Sequence, residues 1–226
     1  MKRIIALLLL ILPCVLSNRV LAQESQYKFD MGGQVGMSGY VGDASSSIFG
    51  HPGVVGGLTF RYLPDVRWGI RTLLNVMTLS GDTSGMDDVL LNGATYNFKA
   101  TVFELQERAE FNFLPYGIGE TYKRLHRWTP YLGLGIGFSL SSCSGDTNLG
   151  FNIPMAFGVK YKAKPRLNLA LEFSMTKVFS DHMDGQLSDL HMIKSSFARN
   201  TDWYSNITFS LTYEFGERCE TCHYVD

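Results

Sequence analysis

Apolar and polar positions alternate strictly along the last long segment. Trp203, Ile207, Phe209, Leu211, Tyr213 and Phe215 share one parity, and Asn206, Thr208, Ser210, Thr212 and Glu214 share the other. A helix would scatter these residues around its axis, whereas a strand sends alternate side chains to opposite faces. The first segment behaves alike: Tyr27, Phe29, Met31, Val35, Met37 and Val41 alternate with Lys28, Asp30, Gln34 and Ser38. Six further segments, 53–62, 67–79, 100–113, 128–140, 151–161 and 167–176, carry the same period. In 128–140, for example, Leu132, Leu134, Ile136, Phe138 and Leu140 alternate with Tyr131, Gly133, Gly135 and Gly137. Eight strands of this kind, an even number, predict an all-β chain: an eight-stranded antiparallel transmembrane β-barrel with an apolar outer face and a closed polar lumen.

The connections support this frame. Short links (63–66 and 162–166) alternate with long ones (80–99 and 177–202). In outer-membrane barrels the short turns are periplasmic and the long loops extracellular, which puts both chain ends in the periplasm. The link 114–127 is long for a periplasmic turn. Aromatics gather at both predicted strand ends. Tyr27, Tyr62, Trp68, Phe113, Trp128, Tyr161, Tyr213 and Phe215 mark one interface, and Phe103, Phe138, Phe151 and Trp203 the other. A soluble barrel such as a lipocalin would turn its apolar parity inward.

The inward charges are balanced. Lys28, Arg61, Arg71, Arg108 and Lys160 face Asp30, Glu104, Glu110, Glu172 and Glu214. Side chains just fill an eight-stranded interior, and unpaired buried charges are costly. A lumen charge network through Arg61, Arg71, Glu104, Arg108, Glu110 and Glu172 is therefore expected, with no open pore. Gly133, Gly135 and Gly137 leave room for long side chains from across the barrel. Glu107 violates the pattern by falling on the lipid face, unless a bulge or a shifted register turns it inward.

The rims differ in sign. The short-link side carries Arg67, Lys123, Arg124, Arg127, Lys162, Lys164 and Arg166 against Asp65 and Glu120. The long loops carry Asp43, Asp82, Asp87, Asp88, Asp146, Asp181, Asp184, Asp189 and Asp202 against Lys99, Lys177, Lys194 and Arg199. Lys123, Arg124, Arg127, Lys162, Lys164 and Arg166 are candidate partner-docking residues. The competing reading is snorkelling toward lipid headgroups.

Composition narrows the class further. The 226 residues are 45% hydrophobic and 13% aromatic, which excludes disorder. A formal net charge of −1 and the lack of a basic tract argue against a nucleic-acid partner. The only long apolar run lies in residues 1–22, where Lys2 and Arg3 precede the apolar stretch 4–12 and Val20-Leu21-Ala22 offers a cleavage site. This pattern predicts a signal peptide, whose removal would take Lys2, Arg3 and Arg19 and lower the net charge from −1 to about −4. The division is thus 1–22 signal peptide, 23–215 outer-membrane barrel, and 216–226 periplasmic tail.

Candidate chemistry is sparse. No histidine (51, 126, 182, 191, 223) lies in a predicted strand. His182 and His191 crowd the last outer loop with Asp181, Asp184 and Asp189, without metal-ligand spacing. Catalytic, cofactor and metal sites are accordingly expected to be none. Cys219-Glu220-Thr221-Cys222-His223 matches the C-x-x-C-H haem-attachment pattern, but it lies within the last eight residues. A disulfide or redox pair between Cys219 and Cys222 is the favoured alternative in an oxidising compartment. Cys143 falls in an outer loop, across the membrane from them.

Several stretches in order resemble the PorG-type outer-membrane barrels of the type IX secretion system. They are Gly39-Tyr40-Val41-Gly42-Asp43, Arg67-Trp68-Gly69-Ile70-Arg71, and Phe103-Glu104-Leu105 through Glu110-Phe111-Asn112-Phe113-Leu114-Pro115-Tyr116. Thr129-Pro130-Tyr131-Leu132, Ile153-Pro154, Gly158-Val159-Lys160-Tyr161 and Leu167-Asn168-Leu169 through Glu172-Phe173 continue the series. Phe179-Ser180-Asp181 and Asn200-Thr201-Asp202-Trp203-Tyr204 close it. The resemblance implies a small barrel bound to outer-membrane lipid and to a periplasmic ring made of a lipoprotein and its partner. It implies no enzyme and no catalytic residues, and the tail has no counterpart in it. The expected function is a non-enzymatic barrel that anchors or docks that ring, in the outer membrane of a Gram-negative bacterium. The alternative is an outer-membrane barrel hydrolase using the loop Asp residues with His182 or His191.

Overall fold

A computed structural model describes residues 26–41, 52–82, 97–118, 124–143, 146–179 and 203–218. Eight strands close into one barrel: β1 (Tyr27–Val41), β2 (Gly53–Tyr62), β3 (Trp68–Asp82), β4 (Asn97–Asn112), β5 (Trp128–Cys143), β6 (Asp146–Lys164), β7 (Leu167–Val178) and β8 (Trp203–Glu217). Each strand pairs antiparallel with its sequence neighbours, and β1 pairs with β8 to complete the ring. No sheet edge is left open, so every ladder hydrogen bond is made inside the barrel wall.

Burial along the strands follows the alternation. Val35, Val54, Leu58, Leu134 and Ile136 point outward and are exposed, while Asp30, Arg61, Arg71, Arg108 and Glu110 are buried within. A barrel that is apolar outside and polar inside suits hydrocarbon, not water. Ring contacts run around the outside at both ends, such as Phe29–Phe60, Trp68–Phe111 and Phe111–Phe113 at one and Phe138–Phe151 at the other.

Three expectations change and one exception to the pattern holds. First, the alternation breaks at the start of β1: Tyr27 is buried and Lys28 is exposed. The ladder there passes from Tyr27–Glu217 to Phe29–Phe215 across Gly216, whose φ of +74° is a left-handed value. That kink turns Lys28 out of the lumen. β8 also runs on to Glu217, past the expected barrel boundary at Phe215.

Second, β6 continues to Lys164, so Lys162 is not a turn residue. It keeps the inward parity of Lys160 and is buried. A register shift between Lys162 and Lys164 then turns Lys164 outward.

Third, Glu107 does face outward. Its pairing with Thr72 on β3 and Ile136 on β5 sits in unbroken ladders on both sides, so neither a bulge nor a shifted register moves it.

Fourth, the space at the inward glycines is filled by adjacent strands rather than from across the barrel. A Cβ on Gly135 would stand 2.8 Å from Arg108 Cγ, and one on Gly137 2.7 Å from Asn152 Oδ1 and 2.8 Å from Gln106 Cγ.

The lumen is also not polar throughout. Toward the long-loop end, Val55, Met77, Leu79, Ala100, Val102, Val178 and Tyr204 form a buried apolar cluster inside the barrel. The sequence carries this signal in 73–79, where Leu73, Met77 and Leu79 on the inward parity accompany Leu74 and Val76 on the outward one.

Candidate functional site: the lumen and the termini-side rim

The inward side chains join into one network. Arg61 Nη1 donates to Asp30 Oδ2 at 2.5 Å, and its Nε to Glu110 Oε2 at 2.7 Å. Arg71 Nη1 reaches Glu110 Oε1 at 3.2 Å and Glu172 Oε2 at 2.7 Å, while Nε donates to Thr59 and Nη2 to Gln34. Arg108 Nη1 donates to Glu172 Oε1 at 2.8 Å, and Lys160 Nζ to Glu110 Oε2 at 2.6 Å. The Tyr131 hydroxyl donates to Glu172, and the Thr212 hydroxyl to Asp30 at 3.2 Å. Glu104 takes neutral donors, namely Asn75 Nδ2 at 2.7 Å, Gln106 Nε2 and the Tyr204 hydroxyl. Gln106 in turn accepts from Arg108 Nε at 2.8 Å. All eight strands contribute to this lattice. All six residues expected in the lumen charge network stand in it; Glu104 reaches it through Gln106.

Below the network lies a second group. Lys162 Nζ donates to both carboxylate oxygens of Glu214 at 2.6 Å, and Asn168 Nδ2 to Glu214 Oε1 at 2.9 Å. Lys162 is thus an internal ion pair, which removes it from the exposed docking set.

The described parts of the β4–β5 link, 113–118 and 124–127, fold across this end of the lumen. His126 N donates to Pro115 O at 2.8 Å, Gly117 N to His126 O at 3.0 Å, and Tyr116 N to Val66 O at 3.1 Å. The Tyr116 hydroxyl then donates to Asn168 Oδ1 at 2.8 Å, with Lys162 Nζ 5.3 Å from its ring centre. Burial, reinforced by the charge of Glu214, pushes the Tyr116 phenol well above its usual range. The neighbouring β2–β3 turn is fixed by Asp65 Oδ1, which accepts from Arg67 N at 2.6 Å and Trp68 N at 2.8 Å. A small cavity of about 30 Å³ lies between link, turn and strand ends.

Around this cap Arg67, Arg124, Arg127, Lys164 and Arg166 are exposed, and Lys28 joins them. Arg166 donates to Tyr27 Oη at 3.1 Å and Tyr213 Oη at 3.4 Å and pairs with Glu217. The two phenol contacts raise the guanidinium pKa further above its ordinary value. Arg124 adopts φ 46°, an uncommon value for a side-chain-bearing residue. Lys123, Cys219, Cys222, His182 and His191 lie outside the described residues, as do the expected signal peptide and most of the tail. Among the described residues no three His, Cys, Asp or Glu side chains gather as a metal site.

Comparison with known structures agrees with the fold. The chain is similar to Neisserial surface protein A, with a TM-score of 0.51, 11% identity, and coverage of 83% of this chain and 97% of that one. At such identity the likeness concerns the fold alone. A major outer membrane protein from Thermus thermophilus gives a TM-score of 0.49 at 14% identity, covering 83% of this chain and 99% of its own. The outer membrane protein OprG from Pseudomonas aeruginosa gives 0.48 at 12% identity, covering 86% and 98%. No curated protein sequence matches the chain. One family does match across residues 2–224, described as a domain of unknown function (DUF6089), and the chain belongs to it.

Proposed function

We propose that this barrel lies in a Gram-negative outer membrane with both chain ends in the periplasm. In this reading it is a non-enzymatic anchor that docks a periplasmic ring of the type IX secretion system. The observation that carries the reading is a basic rim built on a lumen closed by ion pairs. A lumen crossed by the Arg71–Glu172 pair offers no path for solute, so the surfaces left for function are the two rims and the lipid-facing wall. The short-link rim presents Arg67, Arg124, Arg127 and Lys164 as exposed side chains around the cap. Such a surface suits an acidic protein face. The ring of a lipoprotein and its partner comes from the resemblance to PorG-type barrels, and no residue role rests on it.

The test is a pull-down from gently solubilised outer membrane with Arg124→Glu, Arg127→Glu and Lys164→Glu combined. The expected result is loss of the co-purifying ring proteins while heat-modifiable gel migration shows a folded barrel. Undiminished recovery of the ring by the triple variant sinks the docking reading.

A further inference from the structure

Glu107 is the anomaly on the outer wall. It is exposed, and it lies four residues from Phe103 and four from Phe111 on the same strand. Those two rings belong to opposite interfacial belts. At about 3.4 Å per residue and a strand tilt near 40°, roughly 10 Å of depth separates Glu107 from either ring. Its carboxyl group therefore stands near the middle of the apolar band. One oxygen accepts from the Thr72 hydroxyl at 2.7 Å. A carboxyl group held at that depth is costly and marks an interaction site.

The surroundings favour close approach. Thr72 and Ala109 are the small side chains beside Glu107, flanked by Ile70, Leu74, Leu105 and Ile136. Small residues let backbones meet across a membrane interface. On the same wall, toward the long-loop end, a groove of about 480 Å³ opens between Leu58, Leu74, Phe103, Leu105, Phe138 and Leu149. It can receive protruding apolar side chains.

We propose that this wall is a self-association face, on which two copies of the chain meet about a two-fold axis along the membrane normal with their Glu107 carboxyl groups in contact. Such an axis preserves depth, so a group at mid-depth meets its own copy at mid-depth. It sets β4 against β4 and β3 against β5 of the other copy, and tilted strands related this way cross at one point. A crossing at Glu107 lets the two carboxyl groups share a hydrogen bond when at least one carries its proton, because a carboxylate only accepts, with each group steadied by its own Thr72. Lipid headgroups stay at the aromatic belts and do not reach this depth. Among the described outward-facing strand residues between the belts there is no Lys or Arg, so the pairing is carboxyl to carboxyl rather than an ion pair. The inference needs only that the barrel spans a bilayer, and it stands or falls independently of the docking rim.

The experiment is subunit counting of the full chain in lipid bilayers by single-molecule photobleaching, at several protein densities. Wild type is expected to dimerise, and Glu107→Leu to weaken the dimer roughly tenfold or more. Glu107→Gln, whose amide also donates and accepts, is expected to restore most of the loss. Heat-modifiable migration reports folding of each variant. A photo-crosslinking residue at Ala109 in native outer membrane gives a result even if Glu107→Leu does not fold, and a product of twice the chain mass is expected. Wild-type monomers at every density, a Glu107→Leu dimer as strong as wild type, or a crosslink to a protein of another mass would each overturn the proposal.

Discussion

Arg71 and Glu172 face each other from opposite walls of the barrel, on β3 and β7, with Nη1 and Oε2 2.7 Å apart. Three strands lie between them either way round an eight-stranded ring, so this pair ties the barrel across its diameter. Both side chains are almost wholly buried, at 1% and 4% exposure. Replacing one partner leaves the other charge buried without its counter-ion. Arg71→Met is expected to destabilise the barrel by about 3–5 kcal/mol. Urea titration in lipid vesicles, followed by gel migration, measures this; a loss under about 1 kcal/mol would count against the network. Planar bilayers should show no stable conductance for wild type.

Gly158 is needed for the same network, through Tyr131. A Cβ on Gly158 would stand 2.6 Å from Leu171 O and 2.8 Å from Tyr131 Cε1. The Tyr131 ring packs there while its hydroxyl donates to Glu172 and Lys160 Nζ sits 4.3 Å from its centre. Gly158→Ala must push the ring or the β7 backbone aside. A cost of about 1–3 kcal/mol is expected. In a double-mutant cycle with Tyr131→Phe the two changes should couple, because both disturb the hydroxyl contact with Glu172. Additive costs would show that Gly158→Ala leaves the hydroxyl contact with Glu172 undisturbed.

The outer face of this barrel was legible because hydrocarbon demands an apolar side chain at nearly every second position. The inward set was legible as a set, down to the six network residues. Which acid meets which base was not, since Arg71–Glu172 depends on the reach of two long side chains across the lumen. The two misplaced lysines have local causes. Lys28 follows the kink at Gly216 on another strand, which nothing near residue 28 announces. Lys162 sits in Lys-Ala-Lys-Pro-Arg, which reads as a turn, although its parity with Lys160 already marked it as inward.

Lys162 and Lys164 should therefore respond oppositely. Lys162→Met strips Glu214 of a bidentate partner inside the barrel. A loss of about 3 kcal/mol is expected, mostly recovered in Lys162→Met with Glu214→Leu, where no buried charge is stranded. Lys164 is exposed, so Lys164→Glu should leave stability within about 0.5 kcal/mol. Denaturant midpoints of the three variants decide this, and equal effects at 162 and 164 would contradict the inward placement of Lys162.

The cap can be tested through Tyr116. Its phenol is pushed above the ordinary value of about 10, so the folded chain keeps this proton where the unfolded chain gives it up. The sign follows: the stabilisation is fully present below about pH 10 and declines as pH rises beyond it. Tyr116→Phe removes the hydrogen bond to Asn168 and is expected to cost about 1 kcal/mol at neutral pH. That difference from wild type should shrink above about pH 10. Tyrosinate absorbance gives an independent reading. Folded wild type and Tyr116→Phe should gain the same absorbance up to about pH 11, whereas denatured wild type should gain one tyrosinate more than the variant. A folded wild type that already shows the extra tyrosinate at pH 10 would mean the link does not close over the lumen as described.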